Sequence, residues 1–107
     1  MNTESLNEHL AREGMGWECL RFSPIHDGFH YKTPQGKMYY DDWNPCENIE
    51  QAFMVLEKFE DWTVAKIQPS GDYGCLIGDF NSDCRKRNKS LPLAISLAAA
   101  RATGWTE

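Results

Sequence analysis

An α+β fold, arranged as a three-layer α-β-α sandwich, is what this chain predicts: an N-terminal helix, then two β-β-α units whose strands form a mainly antiparallel four-stranded sheet. Three observations lead there. Helical spacing of apolar residues is confined to three places, near residues 3–13, 48–60 and 90–103. The stretches between them are short runs of large side chains broken by Pro and Gly turn groups. The halves also resemble one another, because Trp17 and Pro24 bound the first extended run with the same spacing as Trp62 and Pro69 bound the third. Two helices then share one face of the sheet, and the N-terminal helix is left to cover the other.

The first helix begins near Thr3 or Ser5, where Ser5-Leu6-Asn7-Glu8 has the spacing of a capping box. Leu6 and Leu10 lie one turn apart, and Gly14 is placed to end the helix in a left-handed conformation. Residues 17–22 read as a strand closed by Ser23-Pro24, apolar on both faces and so covered from both sides. Residues 29–32 and 37–40 are extended around Thr33-Pro34-Gln35-Gly36, as one interrupted strand or as a hairpin. Asn48 caps the next helix, with Gln51 three residues on, and Ile49, Ala52, Phe53, Leu56 and Phe59 mark its buried face. Residues 62–67 and 73–80 are strands separated by Gln68-Pro69-Ser70-Gly71-Asp72. The last helix starts at Ser90-Leu91-Pro92 and runs to Gly104, with Ala98, Ala99 and Ala100 small enough for close approach to a sheet.

Length and composition bound what such a fold can do. The 107 residues make one domain: a helix over about 3–13, then units over 17–60 and 62–103. No apolar run approaches the ~18–20 residues of a membrane span, and the first residues lack the features of a signal peptide. Cys19, Cys46, Cys75 and Cys84 form no CxxC pair and are expected to be reduced and mostly buried in a cytoplasmic protein. A net charge of -5 argues against a general nucleic-acid binder, which presents a basic face to phosphates. The Leu/Ala-rich last helix, with Arg101 its one basic residue, also lacks the lysines of a double-stranded RNA binding domain.

Gly16-Trp17, Trp43-Asn44-Pro45, the helix Asn48-Ile49-Glu50-Gln51-Ala52-Phe53 and the closing Leu91-Pro92-Leu93-Ala94-Ile95-Ser96-Leu97-Ala98-Ala99-Ala100 together resemble the phage ABA sandwich domain family, small phage and prophage proteins with NinX-like relatives. The resemblance spans residues 16–102 in order and spacing. It implies an α-β-α sandwich and a bacteriophage or prophage setting, hence the cytoplasm of the bacterial host cell. It implies no reaction and no catalytic residue.

Candidate chemistry is sparse. Asp79-Phe80-Asn81-Ser82-Asp83 opens like a calcium loop, but Cys84 and Ser90 stand where Gly and a bidentate Glu are needed, and Arg85 and Arg87 occupy ligand positions. His26 and His30, with Cys19, Cys75 or Cys84, have no zinc spacing. No nucleophile elbow or phosphate-binding Gly loop accompanies any Ser, Cys and His set. The expectation is a protein without catalytic residues, metal or cofactor.

Two surfaces remain as candidates. Arg85-Lys86-Arg87-Asn88-Lys89 is read as a basic loop just before the last helix, whose free N–H groups favour an anion such as a phosphate or a carboxylate-rich partner. Its charged residues are Arg85, Lys86, Arg87 and Lys89. Tyr39, Tyr40, Asp41 and Asp42 form an aromatic, acidic turn suited to a protein interface, while Trp43 beside them is expected to pack under the turn. The expected function is that of a small accessory protein that binds and modulates or inhibits a host protein, one of a defence system included. The alternatives are sequestration of a nucleotide signal as a small anionic ligand and a self-assembling structural component.

Overall fold

The core is organised around the last helix, α3 (Leu91–Ala102), in which Ala94 to Ala100 are all buried. Seven consecutive residues span nearly two turns, so α3 has no exposed face there and is enclosed by protein on every side. The alanines make this possible, because helices and strands can approach a small side chain closely. Ser90 caps the helix by accepting a hydrogen bond from Leu93 N (3.4 Å), Pro92 sits in the first turn, and Gly104 closes the C-terminus with φ +89°.

The structure, a computed structural model, describes residues 3–20, 30–32, 38–39, 43–78 and 83–105, with backbone alone at 18–20, 30–32 and 38–39. Helix α1 (Thr3–His9) continues into a π turn (Leu10–Gly14), followed by strands β1 (Glu18–Leu20), β2 (His30–Lys32) and β3 (Met38–Tyr39) and helix α2 (Ile49–Leu56). Strands β4 (Trp62–Ile67), β5 (Asp72–Ile77) and β6 (Arg85–Asn88) then lead to α3.

The class is α+β, as expected, but the strands are organised differently. They form two antiparallel three-stranded meanders, β1-β2-β3 and β4-β5-β6. The repeating unit is therefore β-β-β-α, and among the described residues no four-stranded sheet is formed. Pairing of Tyr31 with Tyr39 makes β2 and β3 a hairpin rather than one interrupted strand. The additional strand of the second half is β6, which comes from the basic segment read as a loop. It pairs with β5 through Cys75 opposite Lys86 and Leu76 opposite Arg85.

Helix α2 starts where its cap predicts, with Asn48 Oδ1 accepting from Gln51 N at 3.1 Å. Its buried stripe is rotated from the expected one: Gln51, Ala52, Val55 and Leu56 face inward while Ile49 is 38% exposed. The Gln51 side chain is held inward because its Oε1 accepts from Asn44 N.

The end of the first helix also differs. It closes through the π turn, where Met15 N donates to Leu10 O (2.9 Å) and Trp17 N to Ala11 O (2.8 Å). Gly16, with φ +72°, takes the left-handed position expected for Gly14. Gly14 serves close packing instead, since a Cβ there would lie 3.3 Å from Val55 Cγ1 of α2. Ser5 lies inside α1, not at its cap.

Antiparallel pairing puts Val64, Cys75 and Lys86 on one face of the second sheet. Cys75 and Ile77 on that face belong to the core, Val64 packs against it, and α3 lies over β5 and β6. The opposite face carries Thr63, Ala65 and Ile67 from β4, Gly74 and Leu76 from β5, and Arg85 and Arg87 from β6. The N-terminal helix does not cover it. Helix α1 and the π turn after it dock on α3, with Leu6, Leu10 and Ala11 in the core, so the described residues form no third layer over β4-β5-β6.

Candidate binding surface

The outward face of β4-β5-β6 is a shallow trough of about 370 Å³. Its floor is apolar, formed by Ala65 and Ile67 of β4 and Leu76 of β5, with Thr63 at one end. Gly74 keeps the floor low: a Cβ there would meet Ile67 Cδ1 at 3.2 Å, so the Ile67 side chain lies across β5 in the space a larger residue would fill. Arg85 and Arg87 form one rim.

Each basic residue has a distinct position. Arg87 Nε donates to Asp72 Oδ2 at 2.9 Å and its Nη2 to Ser70 Oγ at 2.8 Å, which braces the β4–β5 turn. Arg85, Lys86 and Lys89 have no carboxylate partner among the described residues. Lys86 points to the α3 side of the sheet, and Lys89 follows the strand. This corrects the picture of a basic loop aimed at the start of α3. Ser90 Oγ already accepts from Leu93 N there, and Ser90 N donates to Asn88 Oδ1 at 2.9 Å. Alternation along β6 instead sends Arg85 and Arg87 to the trough.

The lining residues Thr63, Ala65, Ile67 and Leu76 were not singled out as site residues in the sequence. Their signal was present only as the period-two spacing of 63, 65 and 67, which has meaning once the inward face is known. Of the second candidate surface, Tyr40, Asp41 and Asp42 lie outside the described residues, and Tyr39 contributes backbone to β3.

The turn that follows is structural. Trp43 is 4% exposed, stacks edge-on against Trp17 with ring centroids 4.5 Å apart, and donates from Nε1 to Asn7 O at 2.9 Å. Asn7 Nδ2 donates to Asn44 Oδ1 at 2.9 Å, and Asn7 Oδ1 accepts from Cys46 N at 3.3 Å. One buried asparagine thus ties α1 to the start of α2. Trp62, at the spacing that matched Trp17, is instead 37% exposed and rests against Phe53.

Asp83, the described end of the calcium-like segment, pairs with Arg101 at 2.9 Å; hydrogen bonding to that guanidinium holds its carboxyl below the usual range. Residues 79–82 and His26 lie outside the described residues, and His30 contributes backbone alone. Burial pushes the Cys46 and Cys75 thiols up to about 11, so both are overwhelmingly protonated and poor nucleophiles at neutral pH.

A second, polar groove of about 310 Å³ is lined by Ser5, Glu8 and His9 of α1, Arg12 and Glu13 of the π turn, and Trp105. His9 Nε2 lies 2.8 Å from Thr103 Oγ1, whose hydroxyl is also 2.8 Å from Ala99 O. With the hydroxyl donating to the carbonyl, the ring N–H donates to the hydroxyl. Burial lowers the His9 pKa from its usual 6.5, outweighing the opposing effect of Glu13. The folded state therefore binds fewer protons than the unfolded state just below pH 6.5. His9 contributes its full share of stability above that pH and loses it as pH falls through the folded-state value. The melting temperature of the wild type should drop more than that of His9→Gln between pH 7.5 and 5.5; parallel profiles would contradict this origin.

The fold and surface together define a small α+β protein with Cys46 and Cys75 buried and an open, basic-rimmed sheet face among the described residues. The chain belongs to the phage ABA sandwich domain family, whose model matches residues 8–100. Among solved structures it is similar to a phage protein from Bacillus cereus ATCC 14579, with 22% identity, a TM-score of 0.63, and coverage of 92% of this chain and 89% of that one. At that identity the likeness concerns the fold. No curated protein matches the chain.

Proposed function

We propose that this small phage protein is a non-catalytic accessory factor that binds a protein of the bacterial host and modulates or inhibits it in the host cytoplasm. The observation that carries the reading is the open face of β4-β5-β6. An apolar floor flanked by Arg85, which has no acid partner among the described residues, suits an acidic and partly apolar protein surface. On a chain of net charge -5, that rim is a local reversal of sign and would select orientation as well as partner.

Capture from host lysate, followed by mass spectrometry, tests the reading when the wild type is paired with an Arg85→Glu/Lys89→Glu variant. These substitutions leave the Arg87–Asp72 pair intact. The wild type should retain a defined host protein that the variant loses while keeping its circular dichroism. Retention of nothing across several hosts, or equal retention by both forms, would remove the proposal.

A second reading rests on the size of the trough, which falls within the ~300–1,000 Å³ of small-molecule sites. Sequestration of a nucleotide would use Arg85 for phosphate. It predicts a raised melting temperature with one member of a nucleotide panel and loss of that shift in Arg85→Ala.

A further inference from the structure

We infer that the partner is engaged by strand addition: an extended, acidic segment of the host protein pairs antiparallel with the free edge of β6 and lays its carboxylates on the outer face beside Arg85. The inference rests on the proposed protein-binding role and specifies how that role is carried out.

Among the described residues β6 ends its sheet, with β5 on one side and no strand on the other. Ile77 N donates to Cys84 O at 3.0 Å, which fixes the phase of the ladder. In an antiparallel pair the residues that exchange hydrogen bonds alternate, so Lys86 and Asn88 turn their backbone groups to β5. Arg85 and Arg87 turn theirs outward. The same two residues project their side chains over the trough. A strand added antiparallel would thus place the residues bonded to Arg85 and Arg87 directly opposite them, on the outer face. Carboxylates are the matching side chains at those positions. The intervening residue would face the α3 side, next to the aliphatic stem of Lys86.

The charges also decide between occupants. Against β6 of a second copy, Arg85, Lys86 and Arg87 would face cations, which is how natural sheets block self-pairing at an edge. The edge is therefore closed to its own copy and open to an acidic chain. Strand addition supplies main-chain hydrogen bonds for affinity, and the Arg rim supplies selectivity.

The probe is a fluorescein-labelled peptide of alternating Glu and Val. Three measurements are made: anisotropy with the full-length protein, hydrogen exchange of the Arg85 and Arg87 amides, and sedimentation velocity. The peptide should bind, protect both amides, and weaken at least about tenfold when its Glu residues are N-methylated or when Arg85 is changed to Glu. A Lys-Val peptide should not bind. Equal binding of the N-methylated peptide would overturn strand addition while leaving charge-guided docking of a host protein intact. Absence of binding at millimolar peptide, absence of protection at Arg85 and Arg87, or a self-associated dimer lost in Arg85→Glu would each overturn the inference. Failure to capture any host protein is a separate outcome and bears on the proposed role alone.

Discussion

Trp43→Ala should lower the unfolding free energy by about 3–5 kcal/mol, the usual range for deleting a buried aromatic. The ring is almost wholly buried, and its removal leaves a cavity beside Trp17. It also strips the Asn7 carbonyl of the indole donor at 2.9 Å. Because a domain of this size has only ~5–15 kcal/mol in total, the variant should approach the unfolding threshold. Urea denaturation measures the loss, and Trp43→Phe separates its parts: Phe retains much of the stacking and none of the hydrogen bond, so it should fall between wild type and Ala. A loss below about 1 kcal/mol in Trp43→Ala would show that the α1–α2 joint does not depend on this residue.

Ala98→Leu should cost about 1–3 kcal/mol for the opposite reason. Ala98 is fully buried in the enclosed stretch of α3, where α2 and the second sheet both press close. Added methylenes must displace one of those neighbours or force an off-rotamer side chain. The same change at exposed Ala65 is the control, because surface substitutions usually stay within about 0.5 kcal/mol. Equal effects at both sites would mean that α3 is not enclosed as described.

What could be read in the sequence was what local chemistry dictates. The caps Asn48 and Ser90 set the starts of α2 and α3, and β4 follows its run of large side chains. Strand β6 was hidden, because Arg-Lys-Arg-Asn has neither alternation nor β propensity. It becomes a strand by pairing with β5, a tertiary influence with no local mark. The third strand of the first half was legible as the hairpin alternative over residues 29–32 and 37–40, whereas the third strand of the second half had no such mark. Gly14 and Gly16 illustrate another limit. Both suit a helix end, and only the packing of Val55 against Gly14 decides which one takes the left-handed turn. The basic residues were legible as a candidate surface, but their direction was not: it depends on the ladder phase set by Ile77 and Cys84.

The docking of α1 on α3 has a consequence for synthesis. Leu6, Leu10 and Ala11 leave the ribosome before α3, with β1 to β6 and α2 translated between them. Until α3 emerges, the apolar stripe lacks the helix it packs on, although the partners of Asn7, at Trp43, Asn44 and Cys46, have already been made. Native packing of the N-terminal helix therefore waits for α3, and a ribosome stalled before α3 is made would present that stripe to chaperones.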